Sequence, residues 1–139
     1  MQKEPIVTSE LYLLVLSILM TALFWVPYVL NRLVVRGFGG TLAGMSPDQG
    51  TPQSAWAQRA IKAHTNAIEN LAIYAPLVLA AHVLNLHSPA TRFAAVLYLA
   101  SRAIHFVVYT GGVPVLRTLA FTGGWIAQMI FVAAILKWI

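Results

Sequence analysis

Two polar stripes interrupt an otherwise apolar chain, and their spacing decides what they could do. The segment QRAIKAHTNAIENLAIYAP, residues 58–76, carries Arg59, Lys62, Asn66, Glu69 and Asn70. On a helix turning about 100° per residue, these five fall within an arc of roughly 100°. His64 lies on the opposite side, where it meets another helix or sits at headgroup level. A second stripe, Arg102, His105 and Tyr109, occupies positions i, i+3 and i+7, while Ile104, Phe106, Val107 and Val108 cover the rest of that helix. Arg117 and Thr118 open the next apolar segment at the same level, and Arg32 or Arg36 closes the one before.

A charge as far from a helix end as Arg102 is expensive in a bilayer unless it faces protein or water and finds a partner. Glu69 is the only acidic residue in the interior of a predicted span, so it is expected to pair with Arg102, Lys62 or Arg59. One such pair would tie two helices together, and membrane bundles use polar residues in that way. A tie needs two residues. The stripes supply three cations, one carboxylate, two amides, an imidazole and a phenol, which is the donor set for an anionic ligand that also offers one ammonium group.

The elements that must position these residues are membrane spans. The 139 residues have room for one domain, and their make-up is 59% hydrophobic and 9% charged, with a mean hydropathy of +0.74. An ordinary soluble domain has about 25% charged residues. Residues 11–30 contain no charge, about the length that crosses the hydrocarbon, and the run is too long for a signal-peptide core. The predicted helices cover residues 9–33, 52–86, 89–110 and 114–138. Thr51-Pro52 and Ser88-Pro89 read as N-caps followed by proline, Gly111-Gly112 as a stop, and Pro114 as a start. Short connections join the last three helices as antiparallel neighbours, whereas residues 37–51, rich in glycine, form the one long loop. The fold class is an all-α integral membrane protein, a bundle of four transmembrane helices.

Lysine and arginine are unequally shared. Arg32, Arg36, Arg59, Lys62, Arg102 and Arg117 lie toward the long loop, against Lys3, Arg92 and Lys137 at the other end. By the positive-inside rule the loop is cytoplasmic and both termini are outside. The net charge of +5 comes without any basic run, so a nucleic-acid partner is not expected. With no cysteine, any sulfur chemistry needs a thiol from outside, and no metal site is expected. His82 and His87 lack a carboxylate or cysteine partner in the sequence and read as interfacial. The tryptophans read as interface anchors, and Pro76 as a kink tolerated within its helix. Gly123-Gly124 with Ala120 and Ala127 gives the last helix a small-residue face, suited to close approach by a neighbouring subunit.

The motif Arg59-x-x-Lys62-x-His64-x-Asn66-x-x-Glu69, followed by Arg102-x-x-His105-x-x-x-Tyr109 and by Arg117-Thr118, resembles the MAPEG family, the membrane-associated proteins in eicosanoid and glutathione metabolism. The similarity runs from the first span to the last, in order and with the long first loop. It implies a homotrimer binding glutathione between subunits near the cytoplasmic face and acting on lipophilic substrates as a transferase or peroxidase; the compact form of the chain points to a bacterial inner membrane. By resemblance the glutathione contacts are Arg32 or Arg36, Lys62, Asn66, Glu69, Asn70, Arg102, His105 and Tyr109. Arg117 is the catalytic candidate, favouring the thiolate, with Thr118 assisting. The chain departs from the family pattern at Lys62, which replaces an arginine, and at Phe121, which replaces a tyrosine of one branch; His105 is tyrosine in some relatives. Two alternatives use the same features: a lipid-binding scaffold of the family without chemistry, and a small proton-coupled transporter with Glu69 as the proton carrier.

Overall fold

The computed structural model describes residues 7–43 and 50–139. Its helix boundaries follow local chemistry. The Thr8 Oγ1 accepts from the Leu11 N–H at 3.3 Å and opens α1, Ser9–Leu23. Pro27 has no N–H to give the carbonyl four residues back, at Leu23, and its ring crowds that carbonyl. The helix accordingly breaks at Phe24, whose N–H turns to Thr21 O at 3.2 Å, and resumes as α2, Trp25–Leu42. The predicted single helix 9–33 is therefore two segments, and it runs longer than expected. Only Gly37, with φ 69° and ψ 176°, departs from helical geometry within α2. The predicted loop 37–51 thus gives up its first residues to a helical turn, and residues 44–49 lie outside the described region.

The third helix, α3, spans Ala55–Val83 and stays helical through Pro76. It starts three residues later than Thr51-Pro52 suggests, because the flanking residues are engaged with α2. Asn31 Nδ2 donates to Ser54 Oγ at 2.9 Å and Asn31 Oδ1 accepts from the Ser54 N–H at 3.1 Å. The buried Gln53 donates to Tyr28 O at 2.7 Å and accepts from Arg32 Nε at 3.2 Å. Asn85, with φ 54°, turns the chain after α3. The fourth helix, α4, is Pro89–Gly111, with Ser88 as the expected N-cap, here completed into a capping box by Thr91, and is closed by Gly112 in the left-handed region, φ 78°. The last, α5, is Pro114–Ile135.

Contacts fix the directions of the helices. Asn66 meets Arg102 and Tyr74 stacks on Tyr98, so α3 and α4 run antiparallel. Arg117 over Tyr109 and Gly124 against Arg102 make α4 and α5 antiparallel. Glu10 with Thr91 and Phe24 on Phe106 set α1 parallel to α4. Leu14, Tyr74, Val78, Ala81, Ala94, Ala95, Tyr98, Ala127 and Phe131 form one core shared by α1, α3, α4 and α5. Alanines at 57, 60, 63 and 67 keep one face of α3 flat enough for close helix approach. Large apolar side chains such as Val15, Leu19, Ile73, Val96, Val107 and Ile126 cover the outside, as lipid contact requires.

The chain is an all-helical integral membrane protein. Three stretches, Ser9–Leu42, Pro89–Gly111 and Pro114–Ile135, are long and apolar enough to cross a bilayer. The fourth rod of the bundle, α3, has 29 residues and a length of about 43 Å, but its polar stripe keeps it out of that class. The Gly123-Gly124 face is used within the chain and not left for a neighbour. A Cβ at Gly123 would stand 2.5 Å from Ser101 Oγ, and one at Gly124 would stand 2.6 Å from Arg102 Nη2; Ala120 and Ala127 are buried alongside.

Candidate functional site

Arg102 is the largest fully buried side chain among the described residues, at 2% exposure. Its Nη2 donates to Ala120 O and Phe121 O, both at 3.2 Å, and its Nη1 to Asn66 Oδ1 at 3.3 Å. The guanidinium lies 5.5 Å from the Phe121 ring centroid and 5.9 Å from that of Tyr98, within cation–π range. Gly124 provides the space, since any side chain there would occupy the guanidinium's position. Among the described residues Arg102 has no carboxylate partner. The expected pair with Glu69 is not formed.

The other cations expected near Glu69 are also elsewhere. Arg59 donates from Nε to Thr110 O at 2.8 Å, tying the start of α3 to the end of α4 beneath Gly112. Lys62 is exposed on the same face of α3 but about two turns away, and Glu69 is exposed with no ion pair among the described residues. The reason is steric. The alanine face of α3 packs inward, so the arc shared by the stripe divides: Asn70 is buried, Asn66 half-buried, and Lys62 and Glu69 point out of the protomer. A carboxylate open to lipid at that depth is costly, so this face calls for a covering partner or ligand.

Three clusters result. Arg36 and Lys62 line one cavity of about 550 Å³ with Gln53, Gln58 and Ile61. Arg36 Nε donates to Thr51 O at 2.8 Å, while Arg32 is bound to Gln53 and does not line the cavity. The second cluster is a buried amide network. Asn70 Nδ2 donates to Asn66 O at 2.9 Å, and Gln128 Nε2 donates to Asn70 O at 3.2 Å, so α3, α4 and α5 share one chain of hydrogen bonds ending on Arg102. In the third, Arg117 lies with its Cζ 4.7 Å from the Tyr109 ring centroid, and the buried His105 ring lies 5.5 Å from Tyr109. The Arg117 side chain makes no hydrogen bond to the described residues. The Thr118 hydroxyl gives its proton to Pro114 O at 3.1 Å. The Arg36–Lys62 cavity is not lined by Arg117 or Tyr109.

Several polar residues outside the expected site are structural. His64 meets another helix: its Nδ1 is 2.9 Å from Tyr28 Oη, beside the Phe24–Phe106 stack. At the opposite end of the bundle Glu10 is buried at 3% exposure, accepts from Thr91 Oγ1 at 2.7 Å and lies 3.5 Å from His87 Nδ1. His87 therefore has a carboxylate partner after all. A glutamate in a first turn reads as a dipole-stabilising charge, and only tertiary packing shows it to be enclosed. Gln128 was detectable as the one amide in an uncharged apolar run. Among the described residues no three His, Cys, Asp or Glu side chains are grouped to hold a metal.

An all-helical membrane bundle with a buried arginine at its centre and a basic cavity at one end is the class of protein that this fold and site define. A model of the MAPEG family matches residues 10–137, and the chain belongs to that family. The resemblance read from the helix motifs is thus borne out, and with it a place among membrane-associated proteins in eicosanoid and glutathione metabolism. No curated protein matches the chain.

Proposed function

We propose that the protein is a glutathione-dependent transferase or peroxidase acting on lipophilic electrophiles or hydroperoxides that reach it through the membrane. The observation that carries this reading is the contrast between two arginines. Arg102 gives both terminal guanidinium nitrogens to protein acceptors and keeps only its buried Nε unbonded, whereas Arg117 is held over the Tyr109 ring with all its guanidinium N–H groups unbonded among the described residues. Arg117 is therefore ready to receive an anion.

Glutathione carries two carboxylates, one ammonium and a thiol. Arg36 and Lys62 in their shared cavity fit a carboxylate, and the open Glu69 fits the ammonium. Asn66 and Tyr109 supply neutral hydrogen bonds. Because the cavity and Arg117 belong to separate clusters of one protomer, the reading includes a homotrimer in which a ligand spans neighbouring copies. In the same reading the α2–α3 end faces the cytoplasm of a bacterial cell. A guanidinium beside the thiol favours the thiolate and lowers its pKa from about 8.5 toward neutrality. The thiolate attacks an electrophilic carbon, the C–S bond forms as the leaving group departs, and the thiol proton passes to solvent. Phe121 and the apolar flank of α4 border this end.

The test is conjugation of a chloronitrobenzene with glutathione by detergent-solubilised protein, alongside Arg117→Ala. The substitution is expected to remove most turnover while glutathione still binds. A wild type that neither turns over nor is thermally stabilised by glutathione would refute the proposal and leave the scaffold reading. Proton-driven uptake into vesicles, lost in Glu69→Gln, would support the transporter in its place.

A further inference from the structure

The amide network around Arg102 has a direction. Arginine offers only donors, so the atom of Asn66 that faces Arg102 Nη1 at 3.3 Å must be the amide oxygen. The same oxygen lies 3.4 Å from Asn70 Nδ2, a second donor. Asn70 is fixed in turn, because Gln128 Nε2 donates to its Oδ1 at 3.4 Å as well as to its carbonyl. With both donors converging on its oxygen, Asn66 cannot flip. Its Nδ2 makes no hydrogen bond to the described residues and is not enclosed, so two N–H donors leave the network toward the half-buried face of α3.

A buried guanidinium without a counter-ion is a poor way to stabilise a bundle, since an apolar side chain of similar volume avoids the desolvation cost. Here it has the property that an apolar residue lacks: it sets the polarity of a neighbouring amide. We propose that Arg102 is a positioning residue, holding Asn66 Oδ1 so that the Asn66 N–H groups face the bound ligand, whose acceptor at that point is a carboxylate or a peptide carbonyl. The inference rests on the glutathione reading of the site and changes the part that Arg102 plays in it, from a ligand contact to a residue acting through Asn66.

The experiment is calorimetric titration of the detergent-solubilised full chain with glutathione, with thermal unfolding of each variant measured beside it. Asn66→Asp keeps an acceptor for Arg102 and converts the contact to an ion pair, so the melting temperature is expected to hold or rise. The outward donors become a carboxylate oxygen, and affinity is expected to fall at least about tenfold, as for loss of a hydrogen bond to a charged group. Arg102→Lys is still donor-only and is expected to bind within about threefold of wild type. Arg102→Gln offers donor or acceptor, lets Asn66 turn over, and is expected to lose about tenfold. Asn66→Asp that binds like wild type, or that melts lower, overturns the proposal, as does Arg102→Gln binding as well as Arg102→Lys. A wild type that binds no glutathione removes the underlying reading instead, and the positioning role falls with it.

Discussion

Gly124→Ala tests the packing around Arg102 with one methyl group. A Cβ built there stands 2.6 Å from Nη2, 2.8 Å from Nε and 2.9 Å from Cζ, against 3.4 Å for ordinary contact. The guanidinium must retreat by about 0.5–0.8 Å from α5, the helix whose Ala120 and Phe121 carbonyls it holds at 3.2 Å. At least one of the two bonds then exceeds hydrogen-bonding range. Losing at least one charge-assisted bond costs about 1.5–3 kcal/mol, overpacking adds about 1–3 kcal/mol, and alanine in place of glycine returns about 1 kcal/mol of helix propensity. The net expected loss is roughly 1.5–5 kcal/mol. Two other glycines calibrate it. Gly123→Ala meets the Ser101 hydroxyl, which can rotate away, so its cost is smaller; Gly39→Ala meets nothing within 4 Å and is expected to stabilise slightly. The assay is reversible unfolding in micelles followed by circular dichroism. Gly124→Ala as stable as Gly39→Ala would refute the packing argument.

Three further outcomes are expected. Glu69→Gln should weaken glutathione binding about tenfold while leaving an N-acetylated analogue unaffected, because only the free amine has a charge for Glu69 to meet; calorimetry with both ligands decides it. Arg117→Ala should raise the midpoint of the pH–rate profile toward the free thiol value of about 8.5, with a loss at pH 7 of roughly ten- to a hundredfold, measured by stopped-flow conjugation. Thr91→Val should leave the enclosed Glu10 carboxylate without its hydroxyl donor and lower stability by about 1.5–3 kcal/mol in the same unfolding assay.

The helices were legible because their signals are local. Ser88-Pro89, Gly112 and Pro114 each act within one turn, and all three boundaries fall where these residues place them. The break at Phe24 follows from Pro27, a signal that the composition of an uncharged apolar run does not carry. The later start of α3 was not legible at all, since it depends on Asn31 and Arg32 reaching Ser54 and Gln53 across more than twenty residues. The same holds for the site. A helical wheel grouped Lys62, Asn66, Glu69 and Asn70 correctly by angle. Which of them turn inward depends on the alanine face of α3, and Arg102 finds its acceptors on α5, which no pattern within one helix contains.

The Glu10–Thr91 contact joins residues 81 positions apart, and this has a bearing on how the protein is made. Translation delivers Glu10 to the membrane first, and the hydroxyl that satisfies it arrives only after the third helix has been synthesised. Until then the leading helix has a carboxylate without its final partner, which disfavours its settling deep in lipid. Insertion of the first helix is thereby completed by the fourth, so a chain truncated before residue 91 should leave its leading segment shallow and open to protease.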